Sequence, residues 1–420
     1  MPAFLLLLLQ MGVVLSAARV VGRVFRAFGQ PQVVGEMAAG LLLGPSALGA
    51  LAPGISAGLF PPDSLPLLGT LSQIGLLLFM FLVGVELEPA LLRHRSHTAV
   101  LASHASITIP FFLGTLVALA LYPRVSDSSV SFTGFALFMG AAMSVTAFPV
   151  LARILTERRL VGTPLGAVAV ACAAVDDVTA WSILAAVVLI VRSRAGALAL
   201  WATIAGTAAF IGAMLLVVRP ALARLGRSAR SAGRLTQDQT ALLLLLLLAS
   251  AWSTEALGIH ALFGAFLFGA VVPREAAVVQ DLTRKLEDFT VVFLLPLFFA
   301  FTGLRTRIGL LDRPELWGYA GLILVVAVAG KLGGSALGAR LTGMGWRDSL
   351  SLGVLMNTRG LMELVILNVG LEIGAISPAV FAMMVIMALL TTLMTSPALM
   401  WLRPAGLAGA PVPDRPGNRA

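Results

Sequence analysis

The apolar positions of this chain fall in long uninterrupted blocks, separated by short polar segments. Blocks close to the length that crosses a bilayer, about 20 residues, lie near 4–22, 32–50, 66–88, 98–121, 131–155, 162–191, 198–218, 238–256, 259–273, 288–304, 316–338, 348–370 and 378–402. The pattern predicts an all-α polytopic membrane protein with about 13 transmembrane helices, the ninth short. No Lys or Arg precedes the first block, whereas a signal peptide carries a positive n-region, so it reads as a retained span.

Two blocks are interrupted. The fifth carries Ser144-Val145-Thr146-Ala147-Phe148-Pro149. Proline removes a helix hydrogen bond and crowds the carbonyl one turn back. The twelfth carries Asn357-Thr358-Arg359-Gly360. Polar groups with glycine at membrane depth are tolerated only inside protein or beside a water-filled cavity. A short repeat relates the two halves: Leu78-Phe79-Met80-Phe81-Leu82-Val83-Gly84-Val85-Glu86 reads like Leu297-Phe298-Phe299-Ala300-Phe301-Thr302-Gly303-Leu304-Arg305. These segments end spans 3 and 10, which run in opposite directions. The expected plan is therefore an inverted-topology repeat with a broken helix in each half. One transmembrane domain covers 1–402, with repeats at about 4–191 and 238–402 and a linker span at 198–218. A short cytoplasmic tail without order follows at 403–420.

Composition agrees. The 420 residues are 59% hydrophobic and only 12% charged, half the usual charge of a soluble domain. The net charge of +9 does not point to nucleic acid, because its basic residues sit in loops between spans. Loops after odd-numbered spans, with the tail, hold 21 of the 29 Lys and Arg; the opposite loops hold six, Arg124, Arg192, Arg194, Arg305, Arg307 and Arg313. By the positive-inside rule the N-terminus is expected outside and the C-terminus in the cytoplasm, in the plasma (inner) membrane. Cys172 is the single cysteine, which excludes an internal disulfide and a cysteine-built metal site.

Against that background a few polar residues stand out. Asp176 and Asp177 are adjacent carboxylates inside an apolar run. A carboxylate at mid-bilayer costs about 2.5–3.5 kcal/mol on insertion scales and marks an ion or proton site by default. Successive helix residues are about 100° apart, so one acid can face a cavity while the other faces a partner. Lys331, deep in span 11, needs such an anion. Arg359 and Glu363 share a helix face at a spacing of four, as an internal ion pair or a gate. Glu36 and Glu86 are further candidates; His260 reads as a packed or interfacial histidine rather than a pH sensor. No Walker loop, His-Glu-x-x-His or Gly-x-Ser-x-Gly is present, so an enzyme is not expected and an ion gradient is the expected energy source.

Taken in order, several stretches resemble sodium–proton or potassium–proton antiporters of the monovalent cation:proton antiporter-2 branch, the CHX-like sodium/hydrogen exchangers. They include Val34-Gly35-Glu36-Met37, Gly44-Pro45-Ser46, Ser144 to Leu155, Asp176-Asp177, Gly258 to Phe266, Leu294 to Phe299, Lys331, and Met356-Asn357-Thr358-Arg359-Gly360. The resemblance implies antiport of Na+ or K+ against H+ by an elevator-type movement of a core domain against a dimerisation domain, in a homodimer within the lipid bilayer. It implies that Asp177 binds the transported cation and the competing proton, that Asp176 pairs with Lys331, and that Thr146 lines the crossing of spans 5 and 12; Pro149, Asn357, Thr358, Arg359 and Glu363, read from the two breaks and the spacing of four, are the candidates that form or gate it. No cofactor is implied beyond the transported cation and protons. Members often carry a cytoplasmic nucleotide-sensing domain after the last span; here only a short Pro/Gly-rich tail follows Arg403. The other readings are a sodium-coupled symporter on the same fold and a non-transporting, ion-sensing membrane protein.

Overall fold

The computed structural model describes residues 2–86, 97–126, 130–158, 160, 163–192, 197–223, 235–257, 260–272 and 276–402. The tail expected at 403–420 lies outside them. Among the described residues every regular element is helical. The first half runs α1 (Ala3–Ala27), α2 (Gln32–Leu43), α3 (Leu65–Glu86), α4 (His97–Val125), α5 (Phe132–Ser144), α6 (Phe148–Glu157) and α7 (Pro164–Arg192). Then come α8 (Ala197–Ala213), α9 (Gln237–Ala256), α10 (Ala261–Val271), α11 (Ala276–Phe289), α12 (Leu295–Arg305), α13 (Pro314–Leu341), α14 (Trp346–Met356), α15 (Leu361–Glu372) and α16 (Pro378–Leu402).

Nine helices among the described residues are long and apolar enough to cross a membrane. The sequence pattern led us to expect about 13. The difference falls on four stretches: the two broken spans, α5–α6 and α14–α15; the short α10; and α7, a continuous helix whose described residues fall in two shorter apolar segments. Span 2 runs to Leu51, but its helix α2 stops at Leu43, because Gly44 is extended (φ −77, ψ 177) and precedes Pro45, whose ring disfavours helix in the residue before it. Span 10 begins earlier than expected: amphipathic α11 continues through a π-helical turn, Thr290–Leu294, into α12.

The glycines aligned by the repeated segment, Gly84 and Gly303, both sit at close helix contacts. A Cβ on Gly84 would lie 2.2 Å from Phe266 O of α10, and one on Gly303 would lie 2.0 Å from Gly40 O of α2. Both pairs, α3 on α10 and α12 on α2, depend on backbones meeting at glycine. Such small-residue contact drives association where lipid removes the hydrophobic incentive.

Packing sorts most helices into two groups. One contains α1, α2, α3, α9, α10 and α12; the other contains α4 to α7 and α13 to α16. The groups meet through α2 and the 3₁₀ turn Ile308–Leu310, both against α16. The second group holds the two broken spans side by side, with α7 and α13 packed against them.

Candidate functional site

The first break begins where α5 stops at Ser144 and Val145 turns extended (φ −77, ψ 143). Pro149 explains the position, because its ring would crowd the carbonyl four residues back, that of Val145. Its backbone lies at the second residue of α6, where a missing N–H costs nothing; its side chain lies outside the described residues. The second break is Asn357-Thr358-Arg359-Gly360, between α14 and α15. The two breaks cross and bond to each other. Ala147 N donates to Thr358 O at 2.9 Å, and Thr146 Oγ1 lies 3.0 Å from Met356 O.

A helix that ends inside a membrane leaves four carbonyls without helical partners and a partial negative charge at its C-terminus. At the end of α5 all four are satisfied. Ala141 O accepts from Ser144 Oγ at 2.8 Å. Ala142 O and Met143 O accept from the Arg359 guanidinium at 2.9 and 2.7 Å. Ser144 O accepts from Lys331 Nζ. Two cations, one from α13 and one from the break between α14 and α15, therefore sit on the negative end of α5. Both are buried, Lys331 at 0% and Arg359 at 1% exposure.

Each of these cations has a carboxylate. Lys331 Nζ donates to Asp176 Oδ2 at 2.7 Å and to Ser106 O at 3.0 Å. With Ser144 O, that engages all three ammonium protons. Asp176 is fully buried and collects three more donors: Ser103 Oγ on Oδ1 at 2.9 Å, Ser106 Oγ on Oδ2 at 2.7 Å, and Thr146 Oγ1 at 2.9 Å from Oδ2. The one Thr146 proton is shared between Asp176 and Met356 O. Burying two ions costs several kcal/mol each, and the pair survives only when further hydrogen bonds complete both partners; here they do.

Arg359 Nη1 donates to Glu363 Oε2 at 2.8 Å, one turn on in α15. Thr392 of α16 accepts from Arg359 N at 3.1 Å and donates toward Arg359 O, so it braces the backbone of the break. Glu363 Oε1, Arg359 Nε, Asn357 Oδ1 and Thr358 Oγ1 are buried without a protein partner.

The structure thus brings Asp176, Lys331, Thr146, Asn357, Thr358, Arg359 and Glu363 to one crossing. The Asp177 side chain lies outside the described residues; its backbone continues α7 beside Asp176. The Glu86 side chain also lies outside them. Glu36 is buried on α2, where it accepts from Gln32 at 2.7 Å. His260 caps α10 and faces Glu372, with Nε2 3.5 Å from Oε2. Sequence reasoning missed Ser103, Ser106 and Thr392. The signal for the serines was present: two hydroxyls three apart inside an apolar span share a helix face. Among the described residues no cluster of three or more His, Cys, Asp or Glu could hold a resident metal.

Comparison with known proteins places this geometry in context. The family described as "Sodium/hydrogen exchanger, transmembrane" matches residues 13–401. The chain is 43% identical over 402 residues to the Na(+)/H(+) antiporter NhaS4 of Synechocystis, covering 96% of this chain and 98% of that one. It is 39% identical over 396 residues to the Cation/H(+) antiporter 17 of Arabidopsis thaliana, covering 94% of this chain and 48% of the relative. For the K(+)/H(+) antiporter 1 of Saccharomyces cerevisiae the values are 33% over 402 residues, 93% and 46%. The chain thus spans nearly all of the cyanobacterial relative and about half the length of the plant and yeast ones. Among solved structures, the sodium proton antiporter MjNhaP1 from Methanocaldococcus jannaschii superposes with a TM-score of 0.65 over 95% of this chain and 98% of that one, at 15% identity. That likeness concerns the fold.

Proposed function

The chain belongs to the sodium/hydrogen exchanger family, and we propose that it is a secondary antiporter that exchanges a monovalent cation, Na+ or K+, for protons. The observation that carries this reading is the buried charge arrangement at the crossing. Lys331 is engaged by Asp176, and Arg359 by Glu363. A charge on neighbouring Asp177 would likewise need a counter-ion at membrane depth. A cation and a proton can each supply that neutralisation, and only one can do so at a time. Competition for a single carboxylate is sufficient for exchange, because a site with bare charge crosses an apolar barrier at high cost.

In this reading Asp177 binds the cation or the proton. Asp176, Lys331 and Thr146 hold the crossing open as an ordered polar island. Asn357 and Thr358 offer unpartnered oxygens beside it, while Arg359 and Glu363 fix the ends of the half-helices. The helix group containing both breaks would move against the other group, elevator fashion, within a homodimer. The N-terminus would face outward and the C-terminus the cytoplasm, in the plasma (inner) membrane, as the distribution of Lys and Arg suggests. The relatives' names, all cation/H+ antiporters, support exchange over symport or ion sensing without transport.

The test is reconstitution. Proteoliposomes holding an acid interior and a pH-reporting dye receive Na+, K+ or Li+ across a range of pH. Dequenching that depends on the added cation is expected, with no organic solute present. Vesicles that hold folded protein and show no cation-dependent proton flux would contradict antiport.

A further inference from the structure

The two helix groups meet sparsely, yet one end of half-helix α15 is tied to the other group by several polar contacts. Arg305, the last residue of α12, donates from Nη1 to Asn368 Oδ1 and to Glu372 Oε1, each at 3.2 Å. Asn368 Nδ2 donates back to Thr302 Oγ1 of α12 at 2.9 Å. His260 Nε2, at the start of α10, lies 3.5 Å from the second oxygen of Glu372. Asn368 and Glu372 are four apart and share one face of α15. Arg305, Thr302 and His260 all belong to the opposing group.

The anchor on that side is built rather than incidental. The Arg305 guanidinium lies over the Phe301 ring, 5.4 Å from its centroid. That ring packs where α3 has Gly69; a Cβ there would come within 2.9 Å of Phe301. Ring and glycine together aim Arg305 at α15. A cavity of about 330 Å³ opens beside these contacts, lined from one group by Gln73, His260 and Phe301 and from the other by Val365, Asn368 and Glu372. The boundary between the groups is therefore part cavity and part polar clamp.

α15 also begins at the crossing, where Glu363 holds Arg359. Any displacement of the crossing relative to the opposing group carries the other end of α15 with it. We propose that Arg305 and Glu372 are positioning residues for exchange: with Asn368, Thr302 and His260 they clamp α15 to the opposing helix group in the conformation described here, and the clamp opens once in every transport cycle. The inference rests on the antiport reading and adds an element to it. Glu372 and Arg305 keep 29% and 24% of their side chains exposed, so the pair is weak enough to break and re-form.

Two measurements test it. First, Thr302→Cys and Asn368→Cys are combined, so that oxidation or a short bifunctional thiol reagent joins α12 to α15; native Cys172 is buried elsewhere in α7. Cross-linking should stop cation-dependent proton flux, and reductive release should restore it. Cross-linked protein that exchanges as fast as its released form would overturn the clamp. Second, Arg305→Gln and Glu372→Gln should each shift KM and maximal rate together by about two- to fivefold, the range of a partly exposed ion pair, without adding in the double variant. The charge swap Arg305→Glu with Glu372→Arg should recover part of the loss. Additive single losses with no recovery by the swap would also overturn it. If wild-type protein shows no exchange, the antiport reading fails; if it exchanges and the cross-link is silent, only the clamp fails.

Discussion

The two broken spans follow one backbone plan, yet they carry charge very differently. The break after α5 has no ionisable side chain between Ser144 and Phe148, and its four free carbonyls depend on Ser144 and on the borrowed cations Arg359 and Lys331. The break after α14 brings its own charges, Arg359 and then Glu363 in the first turn of α15. One half-helix end thus receives the locks and the other supplies one of them. An inverted repeat sets where the backbone opens; it does not require the two openings to be chemically equal. The inequality leaves room for a single acid on α7 to act as the exchangeable site.

This contrast predicts a ranking of damage. Lys331→Met should be the most destabilising change. It leaves Asp176 buried with three hydroxyl donors to its anionic form, and it strips Ser144 O and Ser106 O of their donor. Breaking one partner of a buried pair costs about 3–5 kcal/mol, which thermal unfolding in detergent would register. Arg359→Met should cost less, because among the described residues Glu363 makes no side-chain hydrogen bond beyond the one to Arg359. About 2–3 kcal/mol is expected, from two carbonyls left without donors at about 1 kcal/mol or more each. Equal shifts for the two variants would remove the asymmetry between the breaks. The smallest effect should come from Thr146→Val, at about 1 kcal/mol for one hydrogen bond. Its more telling consequence is functional: the crossing loses its hydroxyl between Asp176 and Met356, so exchange should slow while the fold persists.

Much of this architecture was legible in the sequence, and the reasons differ by residue. Pro149 and the run from Asn357 to Gly360 announced the breaks, because proline removes a helix hydrogen bond and polar groups with glycine at membrane depth are tolerated only inside protein or beside a cavity. Asp176, Lys331, Arg359 and Glu363 announced themselves by the cost of charge in an apolar run. Gly84 and Gly303 could be aligned across the halves before either was seen to pack against another backbone. The small hydroxyls were not legible in the same way. Ser103 and Ser106 look like ordinary small residues of a span until α7 is laid against α4, and nothing local distinguishes Thr392 from Thr391 or Thr395. Their roles depend on which helix arrives opposite, and a single chain without partners does not show that. The stop of α2 at Leu43 was available in Gly44-Pro45, but an apolar run hides a proline-imposed bend. The early start of span 10 was masked by the charged, amphipathic face of α11.

The central claim is that the two neighbouring acids do different work: Asp176 as the fixed partner of Lys331, Asp177 as the exchanging ligand. The most direct measurement compares Asp177→Asn with Asp176→Asn in the same proteoliposomes, alongside thermal unfolding of each. The account predicts that Asp177→Asn unfolds near the wild-type temperature yet abolishes cation-dependent proton flux, while Asp176→Asn lowers the unfolding temperature. Undiminished exchange by Asp177→Asn, or wild-type stability of Asp176→Asn, would contradict it.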